Sequence, residues 1–184
     1  REMNLPERFV LYLGTLEPRK NLVRLVRAFA QLDRDDVHLV LAGAKGWSYE
    51  DILAEIEHLA LGDRVHIPGY VSSESLPFWY NAASVFAYPS IHEGFGIPVL
   101  EALACGVPTL TSTSTSLPEA GGDATVQVSP FDEEAIATGL DRLLTDEGLR
   151  ETLRAEGLDH ARHFSRRCCS RWSPPRSSLP MLRF

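Results

Sequence analysis

Short apolar runs recur along this chain, and helical periodicity fills the intervals between them. The runs are Phe9 to Leu13, Val37 to Ala42, Arg64 to Ile67, Val85 to Tyr88, Pro108 to Thr111 and Ala124 to Val128. Strands that are apolar along their whole length belong to sheets covered on both faces, and parallel strands need helical crossovers. Between the runs, Leu22, Leu25, Val26 and Phe29 recur at helical spacing behind Asn21, which predicts a helix capped by that side chain. Further helices are expected over Tyr49 to Leu61 (capped by Ser48), Glu74 to Ala83, Pro98 to Cys105, Glu133 to Leu144 and Gly148 to Phe164. The expected class is therefore α/β, a Rossmann-like, doubly wound sheet of six parallel strands.

Charge narrows the partners. The 184 residues carry 18 − 25 = −7 formal charges, which argues against nucleic acid as a ligand of the whole surface. Five arginines and no acid lie between Arg166 and Phe184, so residues 1–165 carry 13 − 25 = −12. No apolar run approaches the roughly 18–20 residues of a bilayer span, and residues 1–8 lack the apolar core of a signal peptide, so a cytoplasmic location is expected. Cys105, Cys168 and Cys169 lack the paired spacing of a zinc site, and no metal is expected.

In doubly wound sheets ligands bind beyond the carboxyl ends of the strands, where strand order reverses. The loops leaving that edge begin at Gly14, Gly43, Gly69, Pro89 and Ser112. The acidic Asp33-Arg-Asp35 precedes a strand, at the opposite edge, and reads as a surface turn. The most informative loop runs Ser90-Ile-His-Glu93-Gly-Phe-Gly96-Ile-Pro98 and opens a helix carrying Glu101. Gly94 and Gly96 let backbone approach a ligand, and the helix start favours a phosphate. Glu93 and Glu101 suit hydroxyl groups, so the pattern fits a molecule with both sugar and phosphate. Taken singly, each carboxylate fits a solvated helix start or loop equally well. Position 99 is Val where a dinucleotide fingerprint needs a third glycine, which places an NAD-dependent Rossmann protein last. His92 reads as a neighbour of the loop, not as an acid or base.

The spacing Glu93-x7-Glu101 resembles the mark of the family 4 retaining glycosyltransferases of the GT-B fold, the glycosyl transferases group 1. Phe9 to Phe29, Val37 to Gly43, Val65 to Val71, Leu76 to Pro89 and Ser116 to Ala124 fall in the family's order. The resemblance implies that residues 1–165 are the C-terminal, donor-binding domain, with an N-terminal acceptor-binding domain absent from the chain. It implies no cofactor: the nucleotide diphosphate sugar is substrate, held by Gly14, Thr15, Arg19, Lys20, Tyr70, Val71, Glu93, Gly94, Phe95, Gly96, Ile97 and Glu101. Lys20 would meet the diphosphate, Glu93 the sugar hydroxyls and Glu101 the ribose, with Lys20 and Glu93 in the catalytic role. Many members carry arginine after the glycine of the first loop, where this chain has Thr15, and Arg19 is the candidate substitute.

The implied reaction is hexose transfer with retention and without a required metal, of the polysaccharide-biosynthesis kind. The Gly14-Thr-Leu-Glu-Pro-Arg-Lys-Asn21 form is similar to members using GDP-mannose, with UDP-glucose-type donors the alternative. The acceptor (glycan, lipid-linked or small molecule) is not legible, and the absent domain could bring the protein to the inner face of the membrane. A non-catalytic nucleotide-sugar-binding module and a GT-B-fold epimerase are the competing readings. Alone, the chain is expected to bind donor weakly and to transfer little sugar. Residues 166–184 depart from the family: Pro174, Pro175 and absent apolar periodicity argue against a helix there. With only Lys20 and Lys45 among 18 basic residues, a frame change in a GC-rich coding sequence is one source of that tail, and a basic arm for an anionic partner is another.

Overall fold

The structure is a computed structural model that describes residues 5–171, and the side chains of residues 5–164. Six strands, β1 (Phe9–Leu13), β2 (His38–Ala42), β3 (Val65–Gly69), β4 (Val85–Tyr88), β5 (Thr109–Ser112) and β6 (Val126–Val128), form one sheet in the order β3-β2-β1-β4-β5-β6. Every adjacent pair is parallel. The doubly wound, Rossmann-like architecture expected from the alternation is the one observed. β1, β4 and β5 are buried at every residue, which is why they carry unbroken apolar or small side chains.

The helices are α1 (Leu22–Ala30), α2 (Glu50–His58), α3 (Leu76–Ala82), α4 (Ile97–Ala104), α5 (Leu117–Gly121), α6 (Glu133–Thr145) and α7 (Glu147–Arg171). α1 packs on α2 and α6, while α4 packs on α5 and α7. Burying Leu22, Leu25, Val26 and Phe29 on α1 contributes about 1.5–3 kcal/mol per side chain. That outweighs the few tenths of a kcal/mol by which Val26 and Phe29 fall short as helix formers.

Two expected caps are corrected. α2 starts at Glu50 and neither Tyr49 nor Ser48 caps it with a side chain; Ser48 stands in the left-handed region at φ 50°. Asn21 precedes α1 at φ 64° without a side-chain cap bond: its Nδ2 donates to the carbonyls of Pro89 (3.0 Å) and Pro130 (2.6 Å), and its Oδ1 accepts from Arg24 Nη1 (3.1 Å) rather than from a backbone amide of the helix. The side chain is thereby turned to the loops and to Arg24, away from the free amides of the helix start. At α6 the side chain of Asp132 does cap, accepting from the Ala135 amide at 2.9 Å. Asp132→Ala is expected to lower stability by about 1 kcal/mol, read from the urea midpoint.

A short α5 and single-turn 3-10 helices at Pro18–Lys20 and Gly122–Ala124 were not expected. α7 also runs past Phe164 to Arg171, correcting the expectation that the helix stops there. No proline or glycine lies between Ser165 and Arg171, and an established helix propagates readily through such residues. The prolines lie beyond it, and residues 172–184, with the competing accounts of the basic tail, fall outside the described residues. Among the described residues no helix is long and apolar enough to cross a membrane.

Candidate functional site

Strand order reverses at β1, which lies between β2 and β4, so the loops after β1 and β4 meet at the carboxyl edge. Backbone bonds lace neighbouring loops together there: Gly14 N–H donates to Ala42 O (3.0 Å), Gly43 N–H to Gly69 O (2.8 Å), and Ile91 N–H to Arg19 O (2.8 Å). A Cβ on Gly43 would lie 1.8 Å from the Gly14 carbonyl oxygen, so only glycine lets the first two loops approach this closely.

The first cluster at this edge is ionic. Lys20, 5% exposed, directs its Nζ to Glu93 Oε1 (2.6 Å) and to the Tyr88 hydroxyl oxygen (2.7 Å). Glu93, 8% exposed, also accepts from Arg19 through Oε2 at 3.2 Å, while Arg19 Nε pairs with Glu17 at 2.6 Å and Arg19 also reaches the His92 carbonyl. Burial alone would raise the Glu93 carboxyl, but the Lys20 hydrogen bond and the Lys20 charge bring it below its ordinary value. Thr115 Oγ1 accepts from the Glu93 amide (3.1 Å) and Ser116 Oγ donates to its carbonyl (3.1 Å), so the loop before α5 fixes this residue. His92 is exposed and contributes only its carbonyl.

The glycine loop follows directly. Gly94 is exposed, with nothing within 4 Å of a built Cβ, whereas Gly96, at φ +90°, packs against Leu117 and Ala120 of α5. Ile97, not Pro98, begins α4, and the Ile97 side chain is exposed. Phe95 stands edge-on to Phe164 of α7, with ring centroids 5.9 Å apart.

The second cluster lines a cleft of about 270 Å³ that collects Gly14, Thr15, Tyr70, Val71, Tyr80 and Glu101. Tyr70 is 78% exposed, an open aromatic face beside the cleft. Larger clefts of about 320 Å³ and 450 Å³ lie against segments that enter strands, beside Ser84 and Pro108 or beside Leu32 and Arg34. Volume alone would favour those. The reversal of strand order, the laced loops and the buried charges favour the smaller one. Asp33 and Asp35 are exposed beside β2's entry, away from both clusters. Among the described residues no group of three or more His, Cys, Asp or Glu side chains could hold a metal ion.

Thus the expected residues fall into two neighbouring groups. Gly14, Thr15, Tyr70, Val71 and Glu101 share the cleft, while Arg19, Lys20 and Glu93 form the ion cluster beside the Gly94-Phe95-Gly96-Ile97 segment. A row of buried aromatic rings joins them: Tyr12 stacks on Tyr88 (5.7 Å), Tyr88 on Phe86 (5.8 Å), and Phe86 meets Tyr80 edge-on (5.3 Å). Each tyrosine hydroxyl is bonded to a site element: Tyr12 donates to Thr15 O, Tyr88 accepts from Lys20, and Tyr80 donates to Glu101. Sequence reasoning missed these three, although a buried tyrosine must find a hydroxyl partner, and for Tyr12 and Tyr88 the carboxyl end of a strand is where it would lie.

Comparisons with known proteins agree with the fold. The family model described as Glycosyl transferases group 1 matches residues 2–160. O-antigen chain mannosyltransferase B of Escherichia coli is 41% identical over 165 residues, 88% of this chain and 43% of the relative. Sucrose-phosphate synthase of Thermosynechococcus elongatus superimposes with a TM-score of 0.80 at 33% identity, covering 87% of this chain and 42% of its own. Anabaena HepE, solved in complex with UDP-glucose, shares the fold at a TM-score of 0.77 and 22% identity, over 84% of this chain and 44% of its own. The chain therefore spans about two fifths of the length of each of these proteins.

Proposed function

The chain belongs to the glycosyl transferases group 1 family, and from that premise we propose that it is the C-terminal, donor-binding half of a GT-B glycosyltransferase. The complete enzyme would transfer a hexose from a nucleotide diphosphate sugar to an acceptor with retention and without a required metal. The acceptor would be held largely by an N-terminal domain outside this sequence. The carrying observation is the buried Lys20–Glu93 pair at the strand-order reversal, beside a glycine loop that opens α4. An ammonium has three donors, and Lys20 uses two on Tyr88 and Glu93, leaving one for a diphosphate oxygen. Positive charge held there offsets the charge that develops on a departing diphosphate. A carboxylate has about four lone-pair sites, so Glu93 keeps acceptors for sugar hydroxyls after binding Arg19 and Lys20.

Along the edge the donor would run from this pair to the cleft. Amides of Gly94, Phe95 and Gly96 would meet phosphate and sugar, Glu101 would take the ribose hydroxyls, and the base would lie against Tyr70 and Val71. Arg19 turns toward Glu93 and the glycine loop, which supports it as the substitute for the arginine that Thr15 replaces. GDP-mannose is the favoured donor, in keeping with the mannosyltransferase relative, and UDP-glucose-type donors are the alternative. The protein would work in the cytoplasm, reaching the inner membrane face through the N-terminal domain.

Isothermal titration of the intact chain with GDP and UDP tests the site. Wild type is expected to bind one of them, and Glu101→Ala and Lys20→Met each to weaken it about tenfold or more. Unchanged affinity in both variants would refute the assignment. Joining an N-terminal GT-B domain should restore sugar transfer, which a non-catalytic binding module would not show.

A further inference from the structure

Tyr80 lies in the last turn of α3 and lines the cleft, 2% exposed, with its ring held edge-on against Phe86 at 5.3 Å. Its hydroxyl meets two groups of α4. It lies 2.9 Å from Glu101 Oε2 and 3.3 Å from the Pro98 carbonyl oxygen. A hydroxyl has one proton, and the shorter contact to a charged acceptor takes it. Burial, and then the Glu101 charge, hold this hydroxyl protonated far above neutral pH. Glu101 is half-buried on the second turn of α4 and lines the cleft, and its Oε1 makes no hydrogen bond among the described residues. One oxygen of the carboxylate is therefore tethered from below, and the other is free to accept from a ligand.

We propose that Tyr80 is a positioning residue for recognition of a vicinal diol: its hydroxyl orients the Glu101 carboxylate so that the ribose of a nucleoside diphosphate is selected by its 2′- and 3′-hydroxyls. This rests on the reading of Glu101 as the ribose contact. An isolated glutamate on a helix samples several rotamers, and a ligand that needs one of them must supply the ordering. Tyr80 supplies it in advance, with no contact to the ligand itself. Tyr88, on the other side of Phe86 in the aromatic row, does the equivalent for Lys20. The two ends of the ligand edge are thus set by one buried layer.

The test is isothermal titration of the intact chain with GDP and UDP and with their 2′,3′-dideoxy forms, for wild type, Tyr80→Phe and Glu101→Ala. Tyr80→Phe keeps the ring against Phe86 and removes the hydroxyl alone. Wild type is expected to prefer the ribose form by about tenfold or more. Tyr80→Phe should close most of that gap while leaving the affinity for the dideoxy form where it was. If Tyr80→Phe weakens both forms equally, or keeps the full gap while Glu101→Ala abolishes it, the positioning role is overturned and the ribose reading stands. If Glu101→Ala keeps the full gap, or wild type shows no preference or no binding, the ribose reading fails and the proposal fails with it.

Discussion

Replacing Lys20 with methionine is expected to lower folding stability by about 3 kcal/mol as well as to weaken nucleotide binding. Methionine matches the aliphatic stem but leaves Glu93 buried with Arg19 as its remaining cation. Removing one partner of a buried pair costs about 3–5 kcal/mol, and the retained arginine places this case at the lower end. In the double variant Lys20→Met/Glu93→Gln most of the loss should return, because no unpaired charge stays behind. The pH dependence carries a second signature. Since the folded Glu93 carboxyl lies below its ordinary 4.5, the stability it contributes is complete above that pH and is lost as pH falls through the lowered value. Urea midpoints at neutral and acid pH measure both effects. A Lys20→Met protein that loses under about 1 kcal/mol and keeps the wild-type acid limb would rule out a stabilising pair.

Gly43→Ala is the second large effect, expected to cost about 4 kcal/mol or to prevent folding. Its Cβ would lie 1.8 Å from the Gly14 carbonyl oxygen at a φ of +150°, so neither a rotamer change nor a flexible neighbour can relieve the clash. The backbone of the first loop would have to move, and with it the Gly14-to-Ala42 bond that closes the ends of β1 and β2. Gly94→Ala is the matched contrast. Nothing stands within 4 Å of its Cβ, so stability should change by less than about 0.5 kcal/mol, while ligand affinity falls because the methyl occupies the approach to the loop amides. Chemical denaturation and titration separate the two. Equal destabilisation by both substitutions would contradict the close approach described for Gly43.

The alternation of apolar runs and helical stretches made the doubly wound sheet legible, since a parallel strand buried on both faces cannot disguise its composition. Boundaries were less legible. β3 extends through Pro68 to Gly69 because it is an edge strand, where proline's missing donor is tolerated. Asn21 looked like a helix cap because Asn commonly is one; its amide instead ties the loop after β4 to the loop before α6, a long-range demand no local rule reports. At the site, the Glu93-to-Glu101 spacing and the glycines marked the segment. What joins Lys20 to Glu93, and Tyr80 to Glu101, is separated by 73 and 21 residues of sequence and is set only by strand order and helix packing. The tyrosine layer escaped notice for the same reason: in the sequence its members read as ordinary strand and helix packing.

Arg19 and Lys20 are matched by Glu17 and Glu93, so before any ligand arrives this part of the edge carries two positive and two negative charges. Glu101 adds a further acid nearby, on a chain whose formal charge is already −7. Beyond a Debye length of roughly 8 Å at physiological salt, such a surface offers a dianion no attraction. A diphosphate binding as proposed would be captured at short range, by amide hydrogens and the one remaining ammonium proton, and would not be drawn in from solution at a distance.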